Sequence, residues 1–443
     1  MRLVLHGPVF WRGILEYAAW GVAFAWVTKA YAAISMLPTI TNLTGVDWDV
    51  GPVGEPTLTV VVPAKDEAEN IAATLDTLLA ADYPRLRIVV VDDRSTDGTT
   101  AILAEYRAAY LARVAEAKTL RPSILKQAPL HQLDVLHIAE LPEGWLGKTY
   151  ALAVATEHSQ SDYILYTDAD VLFSPSVLRR AMAFAEATEA DHLVVLPTMQ
   201  IKSRGEGIMI GFFQIMSLWV TRLWRIDDAE SLRDVVGLGQ FNLVRRSALE
   251  EIGGWQPQRL AILEDYTLGR RMKSAGMRQR VAFAPGLVLF RWAKGARGIM
   301  RGMIKNLFAG FGFHSLLLLG TWLWIFLFCL LPIAGLGWPP TVLPALITLL
   351  CIGAMYRSIG EISWIDARYA WLYPLGAVGL LFTLLRAMVV VLWQGGVTWR
   401  GTKYPLRDLR RHNSPFVWER EAKKVREEQM RAAKLVRRAK KKG

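Results

Sequence analysis

The sequence predicts an α/β domain with a mostly parallel sheet, placed between apolar segments long enough to enter a membrane. Short β-branched runs alternate with helical patterns between residues 55 and 310, and long apolar runs lie on both sides of that region. The composition agrees, because 52% of the 443 residues are hydrophobic although the chain also contains 52 Lys and Arg. One soluble domain rarely combines these two properties.

Three short apolar runs are predicted to be buried strands of this domain. Leu58–Pro63 and Ile88–Val91 are rich in valine and isoleucine, and Tyr163–Tyr166 has the same character. Between the first two runs, Glu67–Ala81 has apolar residues at helical spacing. Residues 115–134 fit neither pattern, so we expect a loop or an insertion there. Strands that alternate with helices indicate a doubly wound, Rossmann-like sheet that binds ligands at the carboxyl ends of its strands.

Apolar runs at both ends predict membrane segments. Ile14–Leu37 is too long for a cleavable signal peptide, so residues 1–40 are expected to form an anchor helix. The interval 313–397 contains three further candidates, of which the second is short: Phe313–Trp338, Thr341–Tyr356 and Ala370–Val397. The number of complete crossings stays open at three or four.

Two further segments combine apolar and basic residues. Gly205–Ile226 has apolar residues interleaved with polar ones, which predicts either an amphipathic helix in the membrane interface or an ordinary core-facing helix. Residues 295–311 carry Arg297, Arg301 and Lys305, whose charges suit phospholipid headgroups or a diphosphate.

The net charge of +12 is concentrated in the tail at residues 398–443, where sixteen Lys and Arg from Arg400 onward face five Asp and Glu. A basic run after an apolar segment favours anionic lipid over nucleic acid, since no nucleic-acid-binding motif accompanies it. If the α/β domain lies in the cytosol, three complete crossings after it would place this tail outside, against the positive-inside rule. Either Thr341–Tyr356 is re-entrant, or Ala370–Val397 is bent or partly interfacial.

Acidic residues form three clusters, which we expect at the ends of predicted strands. Asp92-Asp93 follows the run IVVV, Asp168 and Asp170 follow YILYT, and Glu264-Asp265 lies in LAILEDYTLGRR. Carboxylates at the carboxyl edge of a parallel sheet can converge on one ligand. Asp168 and Asp170 are one residue apart, so both could approach one hard cation such as Mg²⁺ or Mn²⁺. The alternative is that these residues cap helices in solvated turns.

Five segments together resemble glycosyltransferase family 2, whose catalytic domain has the GT-A fold. They are VPAKDE at 62–67, VDDRSTDGT at 91–99, GWLGK at 144–148, GLGQF at 237–241 and GGW at 253–255. The ensemble is most similar to the hopene-associated and ceramide-glucosyltransferase-like members, and the resemblance covers residues 55–310. It implies a nucleotide-sugar donor, a divalent cation and inversion at the anomeric carbon.

The resemblance also implies roles for individual residues. Asp66 and Asp92 would contact the uridine of the donor, Asp170 with Asp168 would hold the metal, and Asp265 beside Glu264 would be the general base. The other residues expected to bind the donor are Pro63, Lys65, Glu67, Asp93, Lys148, Gly239, Gln240, Arg291 and Arg297.

The chain departs from the family's processive members because it has no Q-x-x-R-W motif after Glu264-Asp265. This favours addition of one or a few sugars to a lipid or lipid-linked acceptor over synthesis of a polysaccharide. Two alternatives stay open: transfer to a polyprenyl phosphate, and an inactive scaffold of the same fold. Since nucleotide sugars are cytosolic, the resemblance implies an inner-membrane protein whose catalytic domain faces the cytosol.

Overall fold

The computed structural model describes residues 8–117 and 131–413, which form two compact units. The sheet unit comprises residues 41–200, residues 225–291 and the described residues from Arg407 onward. The helical unit comprises the described residues up to 40, residues 201–224 and residues 292–406. Helices and strands are numbered below along the whole chain.

In the described part of the sheet unit, seven strands form the main sheet in the order β3-β2-β1-β4-β8-β6-β9. A smaller sheet has the order β5-β10-β7. The strands are β1 Leu58–Ala64, β2 Leu86–Asp93, β3 Gln132–Ile138, β4 Tyr163–Tyr166, β5 Val171–Phe173, β6 His192–Leu196, β7 Thr198–Met199, β8 Asn242–Arg245, β9 Gln279–Phe283 and β10 Val288–Phe290. The helices of this unit are α2 Ile71–Leu79, α3 Thr99–Ala117, α4 Gly147–His158, α5 Val177–Ala187, α7 Arg246–Glu251, α8 Glu264–Ser274 and α14 Leu406–Asn413. The first residue of α14 lies just before the last stretch of the unit, which starts at Arg407.

The main sheet is parallel except at β8, which runs antiparallel to both of its neighbours. Its central strands carry wholly buried β-branched side chains such as Val61, Val89 and Ile164, which explains their continuous apolar sequences. The predicted doubly wound sheet is therefore confirmed. The register Val61↔Tyr166 and Ala64↔Asp92 brings the carboxyl ends of β4, β1 and β2 to one edge.

The bounds of several elements differ from the prediction. The first two strands extend to Ala64 and Asp93, so the first acidic cluster ends β2 itself. The predicted helix 67–81 is shorter, because the chain turns after β1 and α2 begins only at Ile71. The predicted loop 115–134 is wrong at both ends, where α3 reaches Ala117 and β3 begins at Gln132. Residues 118–130 lie outside the described residues.

The helical unit contains α1 Pro8–Met36, α6 Arg204–Val220, α9 Gly295–Gly310, α10 Ser315–Ile325, α11 Leu331–Gly335, α12 Pro339–Ser363, α13 Tyr373–Gln394 and a hairpin of β11 Gly396–Trp399 and β12 Thr402–Pro405. Among the described residues, four helical stretches are long and apolar enough to cross a membrane: Arg204–Arg225, Ser315–Gly335, Pro339–Ser363 and Ala367–Gln394. The second predicted C-terminal span is thus not short, since α12 has 25 residues. Helix α1, the predicted anchor, is not among the four.

Helix α6 packs tightly inside the helical unit. A Cβ added at Gly207 would overlap the Tyr369 ring, and one added at Gly211 would lie 2.8 Å from Tyr356. Nine of the 17 residues of α6 are buried. Helix α6 therefore packs against its own unit with about half of its residues, and its predicted place in the membrane interface stays a prediction.

Helix α13 runs back alongside α10 and α11. The Trp322 indole donates to the Leu381 carbonyl at 3.1 Å, and the Tyr373 hydroxyl donates to the Cys329 carbonyl at 2.9 Å. These pairs make α13 antiparallel to the α10–α11 run. The hairpin after α13 consequently lies against α9, where the Lys305 ammonium is 3.1 Å from the centre of the Trp399 ring.

Candidate active site

The carboxyl ends of β1, β2 and β4 collect most of the predicted site residues at one edge of the main sheet. Pro63 pairs with Val91 in the register of β1 and β2. Thr167, directly after β4, donates its amide to the Val61 carbonyl at 3.1 Å and its hydroxyl to the Gln240 carbonyl at 2.8 Å. The loop before the antiparallel strand β8 therefore reaches the same edge.

The first acidic cluster is held by hydrogen bonds. Asp92 is buried, and its carboxylate accepts from the Ser95 amide at 3.1 Å, the Thr100 hydroxyl at 2.6 Å and the His137 ring at 3.3 Å. Burial acts to raise the pKa of Asp92, but the hydrogen bonds from Ser95, Thr100 and His137 outweigh it and lower the pKa below its usual value. This carboxylate is therefore stabilised as an anion by its hydrogen-bond donors.

The turns that follow β1 and β2 contain two residues in the left-handed region. Asp66 has φ 54° and Arg94 has φ 57°, a conformation that non-glycine residues rarely adopt. The Asp66 carboxylate accepts from the Thr96 amide at 2.7 Å, which ties the two turns together. Backbone strain of this kind commonly marks binding sites.

Lys65, Asp93 and Gly147 lie together beneath these turns. The Lys65 ammonium donates to the Asp93 carbonyl at 3.2 Å, and the Asp93 carboxylate pairs with Arg94 at 2.7 Å. A Cβ added at Gly147 would overlap the Asp93 carboxylate, so the start of α4 can approach β2 only because it has no side chain there.

Lys148 links the second acidic cluster to the third. Its ammonium lies 2.6 Å from Asp168 Oδ1 and 2.5 Å from Glu264 Oε1, and its side chain is 22% exposed. Burial acts to lower the pKa of Lys148, but the negative charges of Asp168, Glu264 and Asp265 outweigh it and raise the pKa above its usual value. The lysine is therefore charged, and it offsets repulsion between carboxylates from two separate elements.

The glycine-rich loop before β8 presses its backbone against the same carboxylates. A Cβ added at Gly239 would lie 2.5 Å from Asp168 Oδ2, and one added at Gly237 would overlap the backbone carbonyl of Asp265. The Gln240 amide donates to Asp168 Oδ2 at 3.4 Å. Both positions therefore require glycine, because a side chain at either one would collide with Asp168 or with the backbone of Asp265.

The donor set around Asp170 suits a divalent cation that also binds phosphate oxygens. Burial raises the pKa of Asp170 to about 7, with further contributions from the negative charges of Asp168 and Glu67. Within residues 8–117 and 131–413, no three His, Cys, Asp or Glu side chains form a group that could hold a metal by themselves. Two neighbouring carboxylates fit Mg²⁺ or Mn²⁺, which take one or two such ligands with water and substrate phosphates. In the small sheet, Phe290 pairs with Val171, so Arg291 and Asp170 flank that pair on the same side.

Asp265 lies beside these groups at the start of α8. Burial raises the pKa of Asp265 to about 7, and the negative charge of Glu264 raises it further, although Lys148 opposes both. Oδ1 of Asp265 accepts from the Tyr266 amide at 2.7 Å. A carboxylate with a pKa near neutrality has the basicity that a general base needs.

One sequence-based placement needs correction. Glu264-Asp265 does not end a strand; it opens α8, where acidic residues interact favourably with the helix dipole. Arg297 is an exposed residue of α9 in the helical unit, and its role in donor binding stays a prediction. The other predicted residues lie in the sheet unit.

Several residues that support the site were not predicted. The Arg259 carbonyl accepts from the Leu146 amide at 3.0 Å and the Thr149 hydroxyl at 2.7 Å, which fixes the start of α4 next to Lys148. The buried Lys273 ammonium donates to the carbonyls of Ile226 at 2.9 Å and Asp234 at 2.6 Å. Partners of this kind depend on loop paths, and no sequence spacing indicates them.

Another missed group surrounds His192, which is wholly buried in β6. Its ring contacts the Asn242 side chain and the Gln279 amide, and Gln279 also donates to the Val236 carbonyl at 3.0 Å. Burial lowers the pKa of His192 to about 4, so the ring is neutral at pH 7. This network fixes the residue before Gly237.

Comparison with known proteins agrees with this arrangement. Residues 59–253 match the family model described as glycosyl transferase family 2. The chain is 27% identical over 272 residues to a beta-monoglucosyldiacylglycerol synthase of Synechocystis sp., covering 57% of this chain and 49% of the relative. It is 22% identical over 374 residues to a 4,4'-diaponeurosporenoate glycosyltransferase of Staphylococcus aureus, covering 79% and 88%. The chain thus spans about half the length of the first relative and most of the second.

Among solved structures, the chain is similar to the mannosyltransferase PcManGT from Pyrobaculum calidifontis in complex with GDP-Man and Mn²⁺. The identity is 18%, the TM-score is 0.45, and the match covers 85% of this chain and 99% of that one. The strand order and the carboxylate-lined edge define the class: an α/β domain with the GT-A fold. Within that class, residues 59–253 are similar to glycosyl transferase family 2, and the Staphylococcus aureus relative is named as a glycosyltransferase.

Proposed function

We propose that this protein transfers a sugar from a nucleotide-sugar donor, a UDP-sugar by preference, to a lipid or lipid-linked acceptor at the membrane, with inversion at the anomeric carbon. The observation that carries the proposal is the Lys148 bridge, because it holds Asp168 and Glu264 together at the edge where β1, β2 and β4 end. A donor-binding carboxylate and a base-bearing helix are thereby fixed next to each other.

The donor is proposed to lie along the carboxyl edge of the sheet. Asp66 and Asp92 would meet its uridine, near the two turns in the left-handed region. Lys65, Glu67 and Asp93 shape the same edge together with Pro63. Gly239 and Gln240 would face the sugar or the diphosphate, since both lie against Asp168.

Asp265 is proposed to accept the proton of the acceptor hydroxyl as its oxygen attacks the anomeric carbon. Attack from the face opposite the leaving diphosphate inverts the configuration. Glu264 and Lys148 would keep Asp265 in place, and the raised pKa of Asp265, about 7, would give it enough basicity to take the proton. Arg291, next to Asp170 in strand register, is proposed to help neutralise the diphosphate.

Asp170 and Asp168 are proposed to hold a divalent cation, Mg²⁺ or Mn²⁺. When bound, the cation would supply positive charge against the leaving diphosphate. Since one Asp168 oxygen is engaged by Lys148, Asp170 is the better candidate for the direct ligand.

A lipid acceptor is supported by the apolar helices and by the relatives' names, one of which refers to diacylglycerol and the other to diaponeurosporenoate. Membrane lipids, and anionic headgroups in particular, are the expected surroundings of the basic residues. We propose an inner-membrane location with the sheet unit in the cytosol, where nucleotide sugars are found.

The path of the chain favours a cytosolic tail. Residues 292–406 leave the sheet unit after Arg291 and return to it at Arg407. One compact unit lies on one side of a membrane, so this stretch makes an even number of crossings. We therefore propose that at least one of the three C-terminal candidate spans is not a complete crossing, which would satisfy the positive-inside rule. By the same reasoning, α6 would not be a single complete crossing.

The experiment incubates membranes containing the protein with UDP-, GDP- and dTDP-sugars, with Mn²⁺, Mg²⁺ or EDTA. Release of nucleoside diphosphate and incorporation of sugar into the lipid extract are both measured, with Asp265→Asn as the control. Metal-dependent transfer that the variant lacks supports the proposal. Transfer to added polyprenyl phosphate that survives the substitution supports that alternative acceptor, because an anionic acceptor needs little base catalysis. Donor binding without turnover supports the scaffold.

A further inference from the structure

The segment that leads into Glu264-Asp265 is held by a residue that follows all the apolar helices in the chain. Asn413, the last residue of α14, is 1% exposed, and its side chain bonds both ways to the segment 260–262. Its Oδ1 accepts from the Ile262 amide at 2.9 Å, and its Nδ2 donates to the Leu260 carbonyl at 3.0 Å. The sequence separation is about 150 residues, so nothing local creates this contact.

The chemistry of asparagine suits this contact. One planar amide offers an acceptor and donors side by side, so it can satisfy a backbone N–H and a backbone C=O two residues apart. Leu260, Ala261 and Ile262 are all buried, and buried backbone groups need partners because water cannot reach them. The same Nδ2 also donates to the Leu409 carbonyl at 2.8 Å, which fixes the side chain to its own helix.

The opposite side of this segment is held by α4. The Arg259 carbonyl accepts from Leu146 and Thr149, which flank Gly147 and Lys148. Lys148 then reaches Glu264 at 2.5 Å. Residues 259–264 are thus clamped between the start of α4 and Asn413, and Asp265 is the next residue.

We propose that Asn413 is a positioning residue for Asp265, acting through residues 260–264. This inference rests on the proposed function, in which Asp265 takes the acceptor proton. The C-terminal segment is then part of the catalytic apparatus, and correct return of the chain after the apolar helices is a condition for turnover.

The decisive variant is Asn413→Leu, which keeps the number and branching of the side-chain heavy atoms but removes every side-chain hydrogen bond. Asn413→Asp retains the acceptor for the Ile262 amide and loses the donor to Leu260. Arg411→Gln, at an exposed position on the same helix, is the matched control. We expect Asn413→Leu to lower kcat at least tenfold while the affinity for the nucleoside diphosphate stays within twofold, because the donor edge does not contact Asn413. The kcat of Asn413→Asp should lie between the kcat of Asn413→Leu and that of wild type.

Hydrogen exchange of the peptide covering 260–266 gives a readout that does not depend on activity. Asn413→Leu should exchange faster there, whereas Arg411→Gln should match wild type. Unchanged kcat and unchanged exchange in Asn413→Leu would overturn the inference, as would equal losses of kcat and nucleotide affinity. If Asn413→Leu fails to fold, the same criteria apply to Asn413→Asp. An inactive wild type would reject the proposed function, and the exchange result would still decide whether Asn413 holds the segment.

Discussion

The two ends of the candidate site contain the same side chain in opposite surroundings. At the end proposed to bind uridine, Asp92 accepts hydrogen bonds from Ser95, Thr100 and His137, which lower its pKa. At the other end, Asp170 and Asp265 are buried near other carboxylates, and the pKa of each is raised to about 7. Hydrogen-bond donors stabilise a carboxylate as an anion, whereas crowding of carboxylates favours binding of a proton or a cation. This difference is the basis for the proposed division into a binding end and a reacting end.

The strongest test of this contrast is Asp265→Asn. The amide cannot accept the acceptor's proton, so we expect kcat to fall by about a thousandfold, within the range for loss of a general base. Nucleotide affinity, measured by titration calorimetry, should stay close to wild type because the uridine end is unchanged. A fall of less than tenfold with a hydroxyl acceptor would contradict the role assigned to Asp265.

Lys148→Met should have the next largest effect, because it leaves Asp168 and Glu264 close together without their shared cation. We expect about a hundredfold loss of activity and a destabilisation of about 1–3 kcal/mol, reduced from the usual cost of breaking a buried pair because Lys148 is partly exposed. Thermal unfolding in detergent measures the second quantity.

A double variant provides the control for Lys148→Met. Adding Glu264→Gln removes one of the two repelling carboxylates, so part of the lost stability should return. If the double variant is as unstable as the two single losses added together, the bridge does not couple the two clusters.

The pH dependence of kcat should report the reacting end. Asp265 acts as a base only when ionised, so activity should rise with pH and level off above its pKa of about 7. Below that value the rate should fall about tenfold per pH unit. Steady-state rates between pH 5.5 and 8.5, compared with the residual activity of Asp265→Asn, measure this. A flat profile in wild type would reject the assignment.

Gly239→Ala tests how closely the glycine loop must approach. The new methyl group would lie 2.5 Å from Asp168 Oδ2, so the carboxylate must move away from Lys148. We expect about a tenfold lower kcat/KM, since small misplacements of reacting groups slow catalysis. Gly98→Ala is the control, because its Cβ would make an ordinary contact 3.6 Å from Ala68. Equal activity of the two variants would show that Asp168 is free to move.

The sequence predicted the reacting end better than the connections that support it. Asp168, Asp170 and Asp265 stood out because carboxylates interrupt apolar runs, and a parallel sheet brings strand ends to one edge. The wholly buried β-branched strands were predictable for the same physical reason. The Lys148 bridge was not predictable, because it depends on where α4 begins relative to a loop more than 100 residues later.

The helical unit was harder to predict. Hydropathy identifies the apolar helices, but it does not show that the chain leaves the sheet unit after Arg291 and enters it again at Arg407. That return is visible only in tertiary contacts such as those of Asn413 with Leu260 and Ile262. The conflict between the basic tail and three complete crossings agrees with the proposal that one segment does not cross, and that proposal stays a prediction.

The smallest effect on activity is expected for Thr100→Val, at the end of the site proposed to bind uridine. It removes the 2.6 Å hydrogen bond to Asp92 but leaves the Ser95 amide in place, so we expect a loss of about 1–2 kcal/mol in the free energy of unfolding at pH 7 and little change in kcat. Because the pKa of Asp92 is lowered in the folded protein, this stabilisation exists above the ordinary aspartate pKa of about 3.9 and disappears as the carboxylate is protonated. Thermal unfolding should therefore separate wild type from Thr100→Val at pH 7, and the difference should shrink as the pH falls below the ordinary aspartate pKa, while Thr100→Ser, which keeps the hydroxyl, follows wild type throughout. A large loss of kcat in Thr100→Val at unchanged stability would mean that Asp92 belongs to the reacting end after all.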